Sequence, residues 1–260
     1  MSPPDCDVLV IGAGIHGAGI AQAAAAAGYA VTVAEQFDSA AQGTSGRSSR
    51  LIHGGLRYLE HGQFSLVREC LRERALLLRL APALVHLTPF HLPVYAGARR
   101  GPLVLGAGLA LYGVLALGGP GAGFVRVGRR AWAGLDGLRT HGLRAVYRYH
   151  DAQTDDAALT RAVLASAAAL GAQVRFGTAL VAARASAEGV TAQLAGPHGT
   201  HTVQARVLVN AAGPWAAAVG ARITPAPALP PVRLVAGSHV LLPGTLEHGA
   251  YTLQAPDGRV

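Results

Sequence analysis

The chain has 260 residues, of which 51% are hydrophobic and 14% charged, and its formal net charge is +8. This size is typical of a globular protein with one large domain or two interleaved ones. The only cysteines are Cys6 and Cys70, so a disulfide framework is excluded and no metal site is expected. The basic residues are all arginines, scattered rather than interleaved with aromatic residues, which argues against nucleic-acid binding. The positive charge favours anionic small molecules or an anionic membrane surface. No secretory-signal pattern is present, and we expect a cytoplasmic protein.

The first segment predicts a dinucleotide-binding unit. Four apolar residues at 8–11 lead into the spacing Gly12, Gly14, Gly17, and an alanine-rich helical pattern and a second apolar run follow before Glu35. In such a unit the first glycine permits a tight turn, the second admits a pyrophosphate to the backbone, and the third lets the helix lie close to the sheet. The helix N-terminus favours phosphate, and the acid accepts hydrogen bonds from a ribose, which disfavours NADP. This segment alone leaves FAD and NAD open.

Two neighbouring segments carry polar groups. Residues 36–50 are small and polar, which predicts a loop able to wrap a bound dinucleotide. Residues 51–60 then place His53, Arg57 and Tyr58 around a Gly-Gly pair in an otherwise apolar segment. Histidine can move a proton near neutral pH, and the arginine fork suits a phosphate or a carboxylate. From these residues alone, a purely structural role is an equally open interpretation.

The middle of the chain predicts a helix, an edge strand and a long apolar segment. Residues 64–80 have helical spacing, with apolar residues among charged ones that include Arg74, and the neighbours Glu69 and Arg72 are ordinary charges of a solvated face. Residues 88–95 predict a strand that its prolines confine to a sheet edge. Residues 103–119, preceded by two arginines, are apolar but too short and glycine-rich to favour a transmembrane helix. We expect a buried or partly covered helix there, with an interfacial helix that dips into a membrane as the alternative.

The second half of the chain predicts further strands around one helix. A strand at 145–150 leads through a polar link to a helix at 157–170, which Thr154 or Asp155 can cap. Further strands are predicted at residues 174–176, 179–183, 190–194, 202–209 and 237–242. The strand at 202–209 ends in the small residues 210–215. A second strand end of this kind beside the first is what a doubly wound sheet needs to hold an extended cofactor.

Together these motifs resemble those of one family. The resemblance lies in Val-Ile-Gly-Ala-Gly-Ile-His-Gly-Ala-Gly-Ile at 10–20, Gly-Thr-Ser at 43–45, Leu-Ile-His-Gly-Gly-Leu-Arg-Tyr-Leu-Glu at 51–60, residues 66–74, Asp-Asp-Ala at 155–157, Asn-Ala-Ala-Gly-Pro-Trp at 210–215 and Gly-Ser-His at 237–239. The combination is similar to that of FAD-dependent, quinone-linked glycerol-3-phosphate dehydrogenases, which belong to the D-amino-acid-oxidase-like flavoprotein superfamily. The family usually has lysine where this chain has Arg50 and Ala236.

The resemblance implies an α/β fold. A Rossmann-like FAD-binding domain is expected from residues 1–80 and 145–222, with an interleaved mixed-sheet α+β substrate domain from residues 81–144 and 223–260. Members of the family are much longer, so the substrate domain is expected to be incomplete, as in a C-terminally truncated chain.

The same resemblance implies the site residues. His53 is the expected catalytic residue, as a base or as a positioning group, and Arg57 and Tyr58 are expected to hold the phosphorylated substrate. The cofactor FAD is expected to contact Gly12, Gly14, Ile15, His16, Gly17, Glu35, Gln36, Thr44, Ser45, Leu51, Leu180, Ala212 and Gly213.

The activity implied is oxidation of sn-glycerol 3-phosphate to dihydroxyacetone phosphate, with electrons passed to a membrane quinone. Such an enzyme is expected to associate peripherally with the inner face of the cytoplasmic membrane, and a homodimer is left open. Two alternatives remain: a glycerol-3-phosphate oxidase that uses oxygen, and an FAD-binding fragment without catalytic activity.

Overall fold

The computed structural model describes residues 4–235, 237–240 and 242–253. The strands are β1 (Cys6–Ile11), β2 (Val31–Ala34), β3 (Leu51–Ile52), β4 (Val85–Tyr95), β5 (Phe124–Arg126), β6 (Leu143–Thr154), β7 (Gln173–Arg175), β8 (Ala179–Ser186), β9 (Gly189–Gly196), β10 (Gly199–Asn210), β11 (Ile223–Thr224) and β12 (Ala250–Tyr251). The α-helices are α1 (Ile15–Ala26), α2 (Phe64–Leu80), α3 (Pro102–Leu115), α4 (Asp156–Ala169) and α5 (Ala216–Gly220). The chain forms two compact units: a first unit of residues 1–49 and 155–239, and a second unit of residues 50–154 and 240–260.

The first unit is built on a sheet with the strand order β11-β8-β9-β10-β1-β2-β7. Strands β10, β1, β2 and β7 run parallel, whereas β8, β9 and β10 form an antiparallel meander. Ile11 lies opposite Asn210 in the β1–β10 register, so the carboxyl ends of these strands meet at one edge. The second strand end expected from the sequence is therefore confirmed.

Residues of β1 alternate between two cores, as successive side chains of a strand must. Val10 packs with α1 and α4, which contact each other, while Leu9 and Ile11 pack on the opposite face of the sheet. Alanines dominate the buried side of α1, and their small side chains let α4 approach closely. Helix α4 begins where expected, because the Asp155 carboxylate accepts a hydrogen bond from the Ala158 amide at 2.9 Å.

The second unit is built on a mixed sheet with the order β12-β4-β6-β3, and β5 also pairs with β6. Strands β4 and β6 are antiparallel over their whole length, whereas β12 joins β4 in parallel. Helices α2 and α3 contribute Val67 and Leu109 to a core with Tyr147 of β6. A separate cluster contains Trp132 and Val146.

Three differences from the sequence expectations follow from how the strands of this second sheet pair. The chain divides at 49/50 and 154/155 rather than at 80/81 and 144/145, because β3 and β6 pair with each other. Strand β4 is not an edge strand, so that prediction is wrong: β12 pairs with Phe90 and His91, which lie between the two prolines and keep their backbone donors. Strand β6 continues to Thr154, past residue 150, where the sequence predicted a polar link. The strand therefore includes the buried Asp151.

The strand expected at 237–242 is also absent from the described part of the chain. Residues 237–240 and 242 have no strand conformation, and position 241 lies outside the described residues. A β-strand needs a neighbouring strand to satisfy its backbone groups, and none of the pairings in either sheet involves this segment.

Candidate functional site

The glycines that follow β1 leave no room for side chains. Gly12 has φ +108°, and a Cβ on it would lie 2.8 Å from the Ala211 carbonyl oxygen. A Cβ on Gly17 would lie 1.9 Å from the Gly12 carbonyl oxygen, so α1 lies directly on the turn. A Cβ on Gly14 would meet the Ser45 hydroxyl at 3.1 Å. The backbone at the N-terminus of α1 is thus bare, which is the arrangement a pyrophosphate requires.

Glu35 closes this turn from the end of β2. Its carboxylate is buried and accepts hydrogen bonds from the Ala13 amide at 2.6 Å and the Phe37 amide at 3.0 Å. Each carboxylate oxygen has two lone-pair sites, so each can accept one further hydrogen bond, for example from a ribose hydroxyl. The acid therefore has a structural function in the turn that its position in the sequence did not reveal.

The loop after Glu35 is tied to the N-termini of two helices. The Ser45 hydroxyl accepts a hydrogen bond from the Ile15 amide at 2.9 Å, in the first turn of α1. The Ser48 amide donates to the Asp156 carboxylate at 3.0 Å, at the start of α4. Thr44 begins a short 3₁₀ turn between these ties. The loop is therefore ordered, and it is tied to the first turns of α1 and α4.

The end of β10 forms the other side of this edge. The Asn210 side chain accepts from the Ala212 amide at 3.3 Å and donates to the Ala216 carbonyl at 2.8 Å, which shapes the turn. Gly213 follows with φ +54° and is exposed. The Trp215 ring lies 2.9 Å from where a Cβ on Gly43 would be, so the loop and the strand end are in contact.

The other residues predicted to contact FAD are distributed as follows. Ile15, His16 and Gln36 are exposed in the first unit. Leu180, in β8, is buried, and its carbonyl accepts a hydrogen bond from Arg222 at 2.5 Å. Leu51 lies in β3 and belongs to the second unit.

His53, Arg57 and Tyr58 lie together in the second unit, around a tight turn. The Tyr58 amide donates to the Gly55 carbonyl at 2.9 Å, and Gly55 has φ +79°, which glycine adopts readily. The rings of His53 and Tyr58 meet edge to face with centroids 6.4 Å apart. Both His53 and Arg57 are exposed, so an imidazole and a guanidinium are presented to solvent four residues apart.

Beneath this turn lies a buried network that sequence reasoning missed. The Asp151 carboxylate oxygen Oδ1 accepts hydrogen bonds from the Gly54 amide at 3.0 Å, the Tyr112 hydroxyl at 2.9 Å and Arg74 Nη1 at 2.5 Å. Burial, with a smaller contribution from the Asp151 charge, raises the pKa of Tyr112, which keeps its hydroxyl protonated as a donor. The sequence showed Arg74 only as one of several charged residues of a helix, whereas its side chain is buried between α2 and the sheet, where Asp151 pairs with it.

A second polar cluster in the second unit surrounds Asp136. Its carboxylate accepts hydrogen bonds from the Tyr251 hydroxyl at 2.7 Å and from the amides of Glu247 and His248 at 2.9 and 3.1 Å. These bonds, that of Tyr251 above all, lower the pKa of Asp136 to about 2. Tyr251 also stacks on the buried His91 ring with centroids 5.0 Å apart. Asp136 thus holds the segment that carries β12 onto its sheet.

Helix α3 is apolar on both sides. Leu109 and Tyr112 pack into the core, while Leu103 and Val114 on another side are 89% and 68% exposed. The expectation of a partly covered helix is confirmed. Within residues 4–235, 237–240 and 242–253, no helix combines the length and apolar character that crossing a bilayer requires.

The sequence profile of a family described as FAD dependent oxidoreductase matches residues 7–260. The chain belongs to this family. FAD is accordingly its cofactor, and the bare glycine turn, the α1 N-terminus and the Glu35 carboxylate fit such a dinucleotide. The predicted α/β fold, with a Rossmann-like unit and an interleaved mixed-sheet unit, is confirmed for this member of the family.

Curated relatives in the family match nearly the whole chain. A glycerol-3-phosphate dehydrogenase of Pseudomonas aeruginosa is 40% identical over 98% of the chain, and an aerobic glycerol-3-phosphate dehydrogenase of Escherichia coli (strain K12) is 36% identical over 98%. A D-erythritol 1-phosphate dehydrogenase of Brucella abortus (strain 2308) is 38% identical over 99%. The predicted resemblance is thus confirmed. The chain spans about half the length of these relatives: 49%, 50% and 51%, respectively.

Solved structures of other proteins agree with the family assignment. The glycerol-3-phosphate dehydrogenase from Bacillus halodurans complexed with FAD superposes with a TM-score of 0.61 at 28% identity, over 85% of this chain and 37% of that one. An FAD-bound L-alpha-glycerophosphate oxidase from Mycoplasma pneumoniae superposes with a TM-score of 0.60 at 15% identity, over 78% of this chain and 53% of that one, which shows a shared fold.

Proposed function

We propose that the whole protein oxidises the secondary hydroxyl of glycerol 3-phosphate to dihydroxyacetone phosphate and passes the electrons to a membrane quinone. One observation carries this proposal: an exposed imidazole and an exposed guanidinium, His53 and Arg57, share one turn in a chain of the FAD-dependent oxidoreductase family. The pair suits a substrate with a hydroxyl proton to lose and a phosphate to bind. Relatives named glycerol-3-phosphate dehydrogenase support the choice of substrate.

The first unit would hold the cofactor. In this proposal the backbone of Gly12, Gly14 and Gly17 and the α1 N-terminus receive the pyrophosphate, and the buried Glu35 carboxylate receives the ribose. The 44–48 loop and the β10 end with Ala212 and Gly213 would line the same edge. The remaining contacts are proposed at Ile15, His16, Gln36, Leu51 and Leu180.

The second unit would hold the substrate. FAD, when bound, supplies an acceptor for a hydride, which carries both electrons of the oxidation. Arg57 presents a planar fork of donors that matches a phosphate, and His53 can accept the proton that the hydroxyl loses as its carbon becomes a carbonyl. Tyr58, with its ring against His53, would orient the imidazole and support the phosphate end. Each group thus has a separate task.

Two observations favour related alternatives. The D-erythritol 1-phosphate dehydrogenase at 38% identity indicates a longer phosphorylated polyol as a second candidate substrate. The glycerophosphate oxidase shares the fold, so oxygen is a second candidate acceptor. Both alternatives give Arg57 the same role of binding the substrate phosphate, because each of these substrates carries one.

The decisive assay uses the full-length protein loaded with FAD. Bleaching of the flavin absorbance under anaerobic conditions is compared for glycerol 3-phosphate, D-erythritol 1-phosphate and unphosphorylated glycerol. We expect rapid bleaching with glycerol 3-phosphate and none with glycerol. Reoxidation by a soluble quinone without peroxide would support the dehydrogenase, whereas stoichiometric peroxide would identify an oxidase.

The role of Arg57 has a matched control on the same unit. Arg57→Ala should raise KM for the phosphorylated substrate about 10- to 100-fold, since a charge-assisted hydrogen bond contributes about 1.5–3 kcal/mol. Flavin content should not change, because Arg57 is not among the residues proposed to contact FAD. Arg68→Ala, which removes an exposed arginine of α2, should leave KM unchanged. Loss of flavin from the Arg57 variant alone would contradict the assignment to substrate.

We also propose that α3 attaches the protein to the inner face of the cytoplasmic membrane. The support is an exposed apolar side that includes Leu103 and Val114, preceded by the exposed Arg99 and by Arg100, which is paired with Glu60. Apolar side chains enter the acyl boundary, and arginines favour anionic headgroups. A quinone acceptor would then be reached from the same surface.

Co-sedimentation with phosphatidylglycerol vesicles tests this attachment. Leu103→Ser with Val114→Ser should release the protein into the supernatant, whereas Leu80→Ser should not, although Leu80 is 68% exposed at the end of α2. Binding should weaken on phosphatidylcholine vesicles and at high salt, because the electrostatic attraction is screened. Equal sedimentation of all variants would exclude α3 as the attachment site.

A further inference from the structure

The Gly54 turn rests on buried side chains rather than on solvent. A Cβ on Gly54 would lie 2.1 Å from the Tyr112 hydroxyl and 2.5 Å from Leu71 Cδ2, so the backbone lies directly on these groups. The Gly54 amide donates to Asp151 Oδ1 at 3.0 Å. This bond joins the turn to the middle of the sheet, because Asp151 belongs to β6, between β4 and β3.

Three donors converge on that one carboxylate oxygen. Besides Gly54, Arg74 reaches it from α2 and Tyr112 reaches it from α3. Arg74 also donates to the carbonyls of His150 at 2.9 Å and Pro120 at 2.8 Å. The exposed fraction is 1% for Arg74, 1% for Asp151 and 3% for Tyr112, so the ion pair between Arg74 and Asp151 is shielded from water.

A buried ion pair is a poor source of stability. Removing each ion from water carries a large free-energy cost, and apolar side chains of similar volume often stabilise a core as well or better. Such a network can instead fix one geometry among several. Among the described residues, the only backbone amide that donates to the Asp151 carboxylate is that of Gly54. Gly54 lies in the turn that carries the exposed His53 and Arg57.

We infer that Asp151, held by Arg74 and Tyr112, is the positioning residue for the substrate-binding turn. The carboxylate fixes the Gly54 backbone, so His53 on one side and Arg57 on the other keep a constant separation and direction. The inference rests on the proposed function, in that the turn is taken to bind the phosphorylated substrate. Neither Asp151 nor Arg74 or Tyr112 needs to touch that substrate.

Kinetics of the FAD-loaded full-length protein test this role with a matched pair of variants. Tyr112→Phe removes a donor to Asp151, whereas Tyr147→Phe removes a donor to the Pro102 carbonyl from a tyrosine in the same core. We expect Tyr112→Phe to raise KM for glycerol 3-phosphate and to lower kcat, because Arg57 and His53 both lose their fixed position, so that kcat/KM falls about tenfold with the flavin spectrum unchanged. Tyr147→Phe should change neither constant. Equal effects of the two variants would reduce Tyr112 to a packing residue and overturn the inference.

Hydrogen exchange separates this inference from the proposed function. The Gly54 amide should exchange about tenfold faster in Tyr112→Phe than in the wild type and in Tyr147→Phe, as measured by mass spectrometry on peptides covering residues 51–60. Should Tyr112→Phe not fold, Arg74→Lys, which keeps the charge but loses the fork, replaces it. Unchanged exchange overturns the positioning role whatever the activity. Faster exchange in a protein that oxidises no phosphorylated polyol would sustain the positioning role and refute the proposed function.

Discussion

At the scale of single residues, Gly17 and Gly19 on α1 illustrate how contacts rather than residue type decide a substitution. Both are glycines in one helix, two positions apart. A side chain on Gly17 would collide with the Gly12 carbonyl, while one on Gly19 would meet nothing within 4 Å. The same methyl group therefore has opposite consequences at the two positions.

Gly17→Ala should displace α1 from the turn and lower FAD affinity at least tenfold. Gly19→Ala should leave FAD affinity unchanged and stabilise the protein by about 0.5–1 kcal/mol, because alanine is the better helix former. Fluorescence titration with FAD and thermal unfolding measure the two effects. Equal FAD affinity in both variants would show that the cofactor does not depend on the close approach of α1 to the turn.

Arg74 and Asp151 show which residues sequence reasoning could have found. Val67, Leu71 and Arg74 are spaced as one helix face, and both apolar residues are buried. Asp151 continues the alternation of the buried Tyr147 and Tyr149 along β6. Two opposite charges in two apolar patterns predict a buried pair, but nothing in a single sequence says that the third partner is the Gly54 amide.

At the scale of elements, the regular segments with clear end signals were predictable. The predicted helix at 64–80 coincides with α2, and the β1–α1–β2 motif appears as its glycines indicate. The predictions failed where partners from distant parts of the chain decide the outcome. β4 accepts the two-residue β12 between its prolines, and β12 is held there by Asp136, 115 positions from Tyr251.

His91 makes the β4–β12 contact sensitive to acid. Burial lowers the pKa of His91, and Arg148 and His248 add to this, while Asp136 acts in the opposite direction. The unfolded chain therefore binds more protons than the folded one near the ordinary histidine pKa, and stability falls as the pH drops below about 6.5.

His91→Phe should reduce the loss of stability between pH 7.5 and pH 5.5, because a phenyl ring keeps the stacking on Tyr251 without titrating. His86→Phe, at an exposed position of the same strand, should keep the wild-type loss. Urea unfolding at both pH values provides the measurement. An unchanged pH dependence in His91→Phe would place the acid sensitivity elsewhere, for instance at His150, whose pKa burial also lowers.

At the scale of the whole molecule, the ligand preference of the first unit can be measured on the 260-residue chain. FAD at 100 times its Kd should add about 2.7 kcal/mol to stability, which raises Tm by roughly 5–10 °C. NADP should have no such effect, because the Glu35 carboxylate repels a 2′-phosphate. Trp132→Phe leaves Trp215 as the reporter in the first unit. If the purified 260-residue chain has no flavin absorbance and its Tm does not change when FAD is added, the proposal that this chain binds the cofactor is contradicted.

The parallel pairing of β1 with β10 also has a consequence in time. Gln204 donates to the Asp5 carboxylate across 199 positions of sequence, where the two strands begin to pair. At about 5–20 residues per second, a ribosome needs roughly 10–40 s to make the intervening chain. During that interval β1, apolar on both faces, has an unpaired edge that can join another strand. Newly made chains should therefore depend on chaperones until residue 210 has emerged, and synonymous changes that slow translation between β2 and β10 should lower the soluble yield.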